Sequence, residues 1–591
     1  MPNLMQAIRL QGMLYPSDFR GHRHGNHYIP FNNTEREVMK ISTSLKLLPM
    51  AAMIATTFGA QAATAWVKTE SHPVDTSMAT EGVAMQAGEP VHIAVSLRVQ
   101  DKAALDAFSA SVIAGKSRPV TSEEFMTRFA PTQKSVDALV AHLKRAGFVN
   151  IDVAPNRMLV TADGNAATAK SAFNVDMKHY NVSGRDAFAA INDAIVPEEL
   201  GSVVLGVHGL QTVHMAHTMR VKAAPEAATP LAKTLATSGH SPSAWPTIYG
   251  ATTIPNAANT TIGIISSGNM TQTGKDLASF VKQAGFATPS VSYVYAGSKG
   301  SSTSGTPEWD IDSQDSLGAA GGVVKSMIFY VATSLSDAAL TSAYNAVVSA
   351  NAAKVINVSL GECETDAKSA GTIATDDQIF ETAVAQGQTF AVASGDSGSY
   401  ECGGRTSKQS YPAVSPYVIA VGGTTLTTTS SGTWSSETVW ACSSSSNCAN
   451  DGGTGGGPST TETAPSWQKS SGVLGTSTMR GVPDIAFDAN PSSGATPIID
   501  GTAQQYGGTS LATPIFVGFW ARIQSAHSNS LVFPATALYQ YGAANESTIF
   551  HDVTSGSNGG YSAKSGWDYT TGFGSLNMLN FSTFVTNNSG W

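Results

Sequence analysis

The stretch Gly507-Gly508-Thr509-Ser510-Leu511-Ala512-Thr513-Pro514 carries the sharpest local signal in this chain of 591 residues. Two glycines form a tight turn, and an apolar helix is predicted to begin at about Pro514. This places the Ser510 hydroxyl at a helix N-terminus, where main-chain N–H groups and the helix dipole stabilise developing negative charge. A capping serine would explain a lone Gly-Thr-Ser, but the full string favours a nucleophile.

Around this motif, from residue 248 onward, short apolar segments that predict strands alternate with segments of helical periodicity. The predicted strands cover residues 260–265, 325–332, 354–360, 388–393 and 417–421, and the predicted helices cover 337–350 and 375–385. This alternation predicts an α/β fold with a mainly parallel sheet flanked by helices and with functional residues at the carboxyl ends of the strands. The Ser/Thr/Gly-rich residues 426–482 are predicted to form loops.

A nucleophilic serine needs a base, and no histidine of the C-terminal part stands in the His-Gly-Thr context of a neutral serine peptidase. The histidines there are His240, His527 and His551. Glu308 and Asp312 are four residues apart, so on a helix they share one face. Two carboxyls this close can share and pass on a proton. A solvated acidic face is the commoner use of such a pair, but the need of Ser510 for a base favours a catalytic role.

A third polar element, Ser394-Gly395-Asp396-Ser397-Gly398, follows a predicted strand directly. An Asp in a glycine-flanked loop at the carboxyl end of a strand is well placed for a functional site. The alternative is a turn Asp that accepts hydrogen bonds from its own backbone.

The composition limits the classes of protein that the chain can belong to. Hydrophobic residues make up 42% and the net charge is −9, which excludes an intrinsically disordered chain and weighs against a nucleic-acid binder. Charged residues make up only 13%, which fits either acid tolerance or an ordinary secreted surface. The four cysteines are Cys363, Cys402, Cys442 and Cys448. Their even number favours disulfides in an exported chain, with three possible connectivities. A local Cys442–Cys448 loop would leave Cys363 with Cys402.

The N-terminal region predicts export. Residues 39–62 have a basic start, a short apolar stretch and the cleavage signature Ala60-Gln61-Ala62, which is typical of a secretory signal peptide. Residues 1–38 are interpreted as a gene-model extension or a long n-region. No second long apolar run follows, so we expect an exported protein without a membrane anchor. Residues 63–220 alternate strand and helix patterns typical of a small α+β domain, and residues 221–245 form a linker.

Taken together, the ExxxD, SGDxG and GTSxxxP motifs resemble those of the sedolisin family, the serine-carboxyl peptidases. The resemblance implies a subtilisin-like catalytic domain over residues 241–585. It also implies a ferredoxin-like inhibitory prosegment over 63–222 and a maturation site within 223–240. The implied catalytic residues are Ser510 as nucleophile, Glu308 as base, Asp312 as its orienting partner and Asp396 as oxyanion donor. A carboxyl donates only when protonated, so activity at acidic pH is expected.

The resemblance implies further features. A structural calcium ion would bind carboxylates and main-chain carbonyls, which suits its preference for oxygen. The implied ligands are Asp552, Val553, Lys564, Gly566 and Asp568. Trp309 and Arg405 are candidate substrate-binding residues, and the pairing Cys363–Cys402 is supported. The expected partners are protein and peptide substrates and the chain's own prosegment, and we expect a monomer, secreted or periplasmic. The alternatives are a neutral subtilisin-type peptidase and a non-catalytic binding protein on the same scaffold.

Overall fold

The apolar segments after residue 248 form one eight-stranded sheet in the computed structural model, which describes residues 65–223, 239–441 and 452–588. The order across the sheet is Val291–Ala296, Val324–Ala332, Ala257–Ser267, Val355–Val358, Thr389–Ala393, Ile419–Thr428 and Trp434–Val439, with Ile485–Asp488 also paired to Ile419–Thr428. Every pair is parallel except Ile419–Thr428 with Trp434–Val439. The predicted mainly parallel sheet is confirmed, and its carboxyl ends carry the loops of the site.

Helices flank this sheet. Those of at least seven residues are Thr271–Ala284, Thr306–Ala319, Asp337–Ala350, Glu364–Ala370, Thr372–Ala385, Thr509–Ala526 and Met578–Asn587. We call Thr306–Ala319 the carboxyl helix and Thr509–Ala526 the serine helix. The two pack against each other, and the serine helix also crosses the central strands. Among the described residues, no helix combines the length and the apolar character that a membrane crossing requires.

The N-terminal part forms a separate antiparallel sheet. Its strands lie in the order Val149–Val153, Leu159–Asn165, Pro90–Leu97 and Val204–His208. The helices of this part are Lys102–Ile113, Ser122–Arg128, Gln133–Ala146 and Ala166–Phe173. Numbered along the chain, the first and second strands are joined by helices, and the third and fourth strands are joined through a helix as well. This is the ferredoxin-like arrangement that the family resemblance implied. A second small sheet contains Thr80–Ala84, Met177–Val182 and Arg185–Ala190.

The N-terminal sheet packs on two helices of the C-terminal part, Asp337–Ala350 and Thr372–Ala385. Thr375 forms hydrogen bonds with Ser96 Oγ (2.8 Å) and with His208 Nε2 (2.9 Å). Gln378 Nε2 donates to a main-chain carbonyl of the strand Pro90–Leu97. The interface therefore contains buried polar contacts as well as apolar packing.

Residues 426–482 correct one prediction. This segment contains the strands Trp434–Val439, Gly457–Thr463 and Met479–Val482 and the short helix Ser466–Ser470. The Gly/Ser/Thr-rich composition is typical of loops, but Thr, Val and Trp fit a strand once a neighbouring strand offers hydrogen-bond partners. Tertiary pairing therefore decides the conformation here.

Short ladders complete the C-terminal part. They pair Leu360–Cys363 with Ser410–Tyr411, Ile498–Ile499 with Thr502–Ala503, and Phe550–His551 with Ser575–Leu576.

Candidate active site

Ser510 lies in the first turn of the serine helix, directly after Thr509, and is fully buried. Gly508 precedes the helix with a φ of 101°, in the region that favours glycine. A β-carbon on Gly508 would lie 2.3 Å from the carbonyl oxygen of Met219 and 2.7 Å from Asp396 Oδ2. Glycine is needed here both for the backbone conformation and for the space in front of Ser510.

The start of the serine helix differs from the prediction. The helix begins at Thr509 rather than at about Pro514. Proline is typical of a first turn because its missing N–H is not needed there. Here Pro514 lies inside the helix, where it cannot donate to the carbonyl of Ser510 four residues earlier. Ser510 is nevertheless at the N-terminus of a helix, where the predicted chemistry requires it.

Glu308 and Asp312 lie one turn apart on the carboxyl helix, and both are fully buried. Burial raises the pKa of Glu308 to about 7, although Arg220 and the Ser510 hydroxyl beside it act to lower that pKa. Burial and the neighbouring Glu308 raise the pKa of Asp312 well above its ordinary value. Asp312 Oδ1 accepts a 2.6 Å hydrogen bond from Ser359 Oγ. The two carboxyls form a buried pair beside the serine hydroxyl.

Asp396 lies in the loop after the strand Thr389–Ala393. Its Oδ1 accepts hydrogen bonds from the Thr509 N–H (2.7 Å) and the Thr509 hydroxyl (2.8 Å). Burial raises the pKa of Asp396 to about 6, against the effect of those two hydrogen bonds. Its Oδ2 is buried and has no hydrogen-bond partner within the described parts of the chain. A proton on Oδ2 would make this oxygen a donor.

Residues 216–223, which we call the cleft segment, pass through the site. The Ser510 N–H donates to the carbonyl oxygen of Met219 at 2.8 Å. The Met219 N–H donates to the carbonyl of Ser359 at 3.2 Å. These two contacts hold the Met219–Arg220 peptide bond in front of the Ser510 side chain.

Strand pairing fixes the cleft segment on both sides of that bond. His217–Thr218 pairs antiparallel with Leu360–Cys363, and Val221–Lys222 pairs antiparallel with Tyr506–Gly507. An extended peptide that adds a strand on each side of a serine is bound as a substrate would be.

The two residues at the centre of the cleft segment were not singled out by the sequence analysis. Met219 is buried, and a β-carbon on Gly361 would lie 2.4 Å from the end of its side chain. Arg220 Nη1 lies 3.4 Å from Glu308 Oε2, and Arg220 Nη2 donates to the carbonyl of Ser304. The only local signal is the basic Arg220-Val221-Lys222 just before the predicted linker.

Comparison of the sequence with known proteins identifies the family. The chain is 46% identical over 571 residues to sedolisin of Pseudomonas sp. (strain 101). The matched region covers 92% of this chain and 96% of that protein. The chain belongs to the sedolisin family. It is a serine-type peptidase, and the resemblance predicted from the three motifs is confirmed.

Further matches support the same sedolisin assignment. The chain is 43% identical over 556 residues to xanthomonalisin of Xanthomonas sp. (strain T-22), covering 85% of this chain and 66% of that protein. A structure of Pseudomonas sedolisin with pseudo-iodotyrostatin has a TM-score of 0.57 and 49% identity, and covers 60% of this chain and all of that one. Residues 78–213 match the pro-kumamolisin activation domain and residues 311–574 match the subtilase family. The N-terminal domain is thus an activation domain, which we call the prosegment.

The predicted calcium ligands of this sedolisin-family chain lie together near the C-terminus. They are Asp552, Val553, Lys564, Gly566 and Asp568. The Gly566 N–H donates to Asp552 Oδ2 (3.2 Å) and the Lys564 N–H to Asp568 Oδ2 (2.9 Å). Glu546, which the sequence analysis missed, lies beside them. Burial and the charges of Asp552 and Asp568 raise the pKa of Glu546 to about 7.

The donor set fits calcium when main-chain oxygens are included. Within the described ranges, no three or more His, Cys, Asp or Glu side chains form a group that could hold a metal ion by themselves. Two neighbouring carboxylates and nearby main-chain carbonyls supply only oxygen, the ligand that calcium prefers. Glu546 Oε1 is buried without a hydrogen-bond partner in the described chain, so a further oxygen with free lone pairs lies beside the two carboxylates.

Cys363 and Cys402 form a disulfide. Cys363 ends the strand Leu360–Cys363, which pairs with the cleft segment, and Cys402 follows the loop of Asp396. The bond therefore joins two walls of the site. Cys442 and Cys448 lie outside the described residues, as does the predicted signal peptide at 39–62.

The two candidate substrate-binding residues differ in environment. Trp309 is buried, and its indole N–H donates to the carbonyl of Ser267 at 3.0 Å. Arg405 is exposed on the loop after Cys402. Their roles in substrate binding remain predictions.

The histidines of the catalytic domain lie at other sites. His240 packs edge-on against Trp245, and His551 stacks on Trp434 with ring centroids 3.8 Å apart. His527 ends the serine helix at the end opposite Ser510. The titratable side chains of the catalytic domain that lie beside Ser510 in the described chain are carboxyls, which favours a carboxyl-based mechanism over that of a neutral subtilisin.

Proposed function

We propose that this chain is an exported serine-carboxyl endopeptidase that hydrolyses proteins and peptides at acidic pH and is made as a self-processing zymogen. Ser510 is the nucleophile, Glu308 the general base, Asp312 its orienting partner and Asp396 the oxyanion donor. The observation that carries this proposal is the 2.8 Å hydrogen bond from the Ser510 N–H to the carbonyl oxygen of Met219. A peptide carbonyl bound to the N–H of Ser510 supports the assignment of this serine as the nucleophile.

The mechanism follows from these positions. Ser510 Oγ attacks the carbonyl carbon while its proton passes to Glu308. The developing oxyanion accepts hydrogen bonds from the Ser510 N–H and from protonated Asp396. Glu308 then gives the proton to the leaving amine, and an acyl-enzyme forms on Ser510. A water molecule, deprotonated by Glu308, hydrolyses the ester, and the proton returns to Ser510 as the product acid leaves.

The oxyanion donor sets the upper pH limit in this proposal. Burial raises the pKa of Asp396 to about 6. Below that pH the carboxyl is neutral and can donate, and above it a negative charge would face the developing oxyanion. Glu308 can accept the Ser510 proton only when it is ionised, and its pKa of about 7 belongs to the buried state in the zymogen. Water that enters the cleft when the prosegment leaves would lower this pKa, so that the carboxylate serves as a base in acid.

Self-processing is proposed at the bond that already lies in the site. The first cleavage is expected between Met219 and Arg220, with later trimming into the predicted 223–240 boundary. After acidification, mass spectrometry should find a new N-terminus at Arg220 in the wild type. The Ser510→Ala chain should stay intact. A first cut elsewhere would contradict the assignment of this bond.

The decisive experiment measures protein hydrolysis between pH 3 and pH 8. Wild type is compared with Ser510→Ala and Glu308→Gln after acid activation. Activity confined to acid and lost in both variants is the expected result. Activity that peaks near neutral pH, or that survives in Glu308→Gln, would mean that another group serves as the base.

Calcium binding and export complete the proposal. Asp552 and Asp568 with the carbonyls of Val553, Lys564 and Gly566 would hold one calcium ion, which would tie the two C-terminal loops together. A chelator is expected to lower the midpoint of thermal unfolding of the wild type but not that of Asp568→Asn. Export rests on the signal-peptide pattern of residues 39–62, and N-terminal sequencing of the secreted protein tests it.

A further inference from the structure

The cleft segment shows where substrate side chains would lie. With Met219 as P1, the residue whose carbonyl is attacked, Ala216 occupies P4. The Ala216 N–H donates to the carbonyl of Leu335 at 3.1 Å, and its methyl group is buried. A small side chain therefore occupies a buried subsite in the zymogen.

This subsite, which we call the P4 pocket, is lined by three carboxyl groups. Asp337, Glu362 and Asp376 are only 5%, 7% and 1% exposed, and they line the pocket together with Ala216 and Leu340. Beside the alanine methyl group a cavity of about 10 Å³ remains, about enough for one water molecule. Such a concentration of buried carboxyls is unusual for an apolar subsite, because each carboxylate pays a desolvation cost unless it is paired.

The hydrogen bonds of these carboxyls are incomplete. Glu362 Oε2 has no partner within the described chain. Asp376 Oδ1 accepts a 2.7 Å hydrogen bond from the Thr341 hydroxyl. Asp337 Oδ2 accepts a 2.6 Å hydrogen bond from Gln211 Nε2, which belongs to the prosegment. Glu362 Oε2 therefore lacks a donor in the described zymogen, and Asp337 loses the donor Gln211 when the prosegment leaves.

Other charged groups near the pocket do not replace that donor. His214 Nδ1 lies 3.0 Å from Asp366, and both are near Asp337. His214 is also part of the prosegment, so it leaves together with Gln211. Burial, and then Asp337, Asp376 and Asp366, raise the pKa of Glu362 well above its ordinary value. The mature enzyme would keep the acidic groups and lose the N–H donors that face them.

We propose that the P4 pocket of the mature enzyme selects substrates with lysine or arginine at P4. A P4 cation would supply N–H donors to Glu362 and Asp337, and its positive charge would favour their ionised form. In the zymogen, Ala216 lines this pocket and Gln211 donates to Asp337 at its edge. This inference rests on the proposed function, because it needs a mature peptidase that cleaves after the P1 residue.

The test uses activated wild-type enzyme and four peptides with the sequence X-His-Thr-Met-Arg-Val-Lys, taken from the cleft segment. X is lysine, norleucine, alanine or glutamate, and kcat/KM is measured at pH 5. Lysine and norleucine have nearly the same length and differ in charge. We expect lysine to be preferred over norleucine by roughly tenfold, as one charge-assisted hydrogen bond would give. Glutamate is expected to be the poorest.

Variants assign the preference to the pocket. The lysine-to-norleucine ratio should fall towards one in Glu362→Gln and in Asp337→Asn. It should stay high in Asp500→Asn, which removes an exposed carboxylate elsewhere. The wild-type comparison does not depend on the folding of any variant.

The possible failures are distinguishable. Cleavage of all peptides at Met-Arg with norleucine equal to or better than lysine would overturn the P4 proposal and leave the proposed function intact. A lysine preference that persists in both pocket variants would also overturn it. If neither the peptides nor a protein substrate is cleaved between pH 3 and pH 8, the proposed function fails and the P4 proposal fails with it.

Discussion

Asp396 shows how burial sets the chemistry of a single residue in this protein. Its carboxyl is oriented by two hydrogen bonds from Thr509 to Oδ1. Its second oxygen and the Met219 carbonyl both lie within 3 Å of the position that a β-carbon on Gly508 would take. Protonation decides whether that second oxygen helps or hinders an oxyanion, so the pH dependence of the enzyme should follow this residue.

Asp396→Asn should extend activity to higher pH. The amide keeps an N–H donor at every pH, whereas the wild-type carboxyl loses its proton as the pH rises through about 6. We expect the fall in kcat above that pH to move upward in Asp396→Asn. Asp396→Ala should lose about 10²–10³-fold in kcat, as removal of an oxyanion donor does. An unchanged alkaline limb in Asp396→Asn would rule out this role.

Gly508→Ala should block catalysis because the added methyl group fills space that the substrate needs and strains the backbone. The added methyl group would occupy the position of the substrate carbonyl oxygen, so kcat/KM should fall by about 10²-fold or more. Gly501→Ala is a matched control, because Gly501 also has a positive φ (78°) but has open space around it. Gly501→Ala should lose about 1 kcal/mol of stability, and Gly508→Ala should lose more, because its methyl group would also meet Asp396 Oδ2. Equal activities in the two would contradict the steric argument.

At the scale of elements, the site depends on segments that approach from different strands. The cleft segment pairs with Leu360–Cys363 on one side of Met219 and with Tyr506–Gly507 on the other. The disulfide Cys363–Cys402 ties the first of these strands to the loop after Asp396. A covalent link between two walls of a cleft should matter for both stability and catalysis.

Replacing Cys363 and Cys402 together by alanine should destabilise the folded chain by about 3–4 kcal/mol, since the bond closes a loop of 39 residues. Denaturant titrations of the Ser510→Ala chain with and without this double change measure the effect. Reducing agent should lower the free energy of unfolding of the parent chain and leave that of the double variant unchanged. An equal response of both to reductant would mean that the effect arises elsewhere.

Sequence patterns predicted most elements of the catalytic sheet. The helix 337–350 has the predicted bounds, because Ser336 before it and Asn351 after it bracket an apolar stretch. The serine helix was predicted to start too late, because a proline in the second turn resembles one in the first. The strands within 434–482 were missed because their Gly/Ser/Thr-rich composition is typical of loops, and only pairing with neighbouring strands reveals them.

At the scale of the whole molecule, the prosegment and the catalytic domain share a buried interface. His208 lies in the prosegment strand Val204–His208 and contacts Thr375 of the catalytic domain. Burial lowers the pKa of His208 to about 4. Its Nδ1 has no hydrogen-bond partner among the described residues. Protonation of this side chain would place an unpaired charge in the interface.

His208 should make the zymogen less stable in acid. A histidine whose pKa falls on burial gives full stability above its ordinary pKa near 6.5 and loses it as the pH falls towards 4, for a total of about 3 kcal/mol. Denaturant titrations of the Ser510→Ala chain at pH 7 and pH 4 measure the free energy of unfolding that is lost in acid. His208→Gln should reduce this loss by about 3 kcal/mol.

His92→Gln is the control for this experiment, because His92 is an exposed histidine of the same domain. It should leave the difference between pH 7 and pH 4 nearly unchanged. If the free energy of unfolding falls between pH 7 and pH 4 by the same amount in His208→Gln, in His92→Gln and in the parent chain, burial of His208 does not contribute to acid instability.

The sequence by itself determined the α/β fold class, the domain order and the residues Ser510, Glu308, Asp312 and Asp396 as candidates. Apolar periodicity sets strands and helices locally, and the motifs keep their residue types and order along the chain. Only the tertiary structure decided that Met219–Arg220 lies at Ser510, that burial raises the pKa of Glu308, and that three carboxyls line the P4 pocket. These features depend on side chains that are far apart in the chain and meet only in the fold, where exclusion of water changes their charge states, so no local pattern contains them.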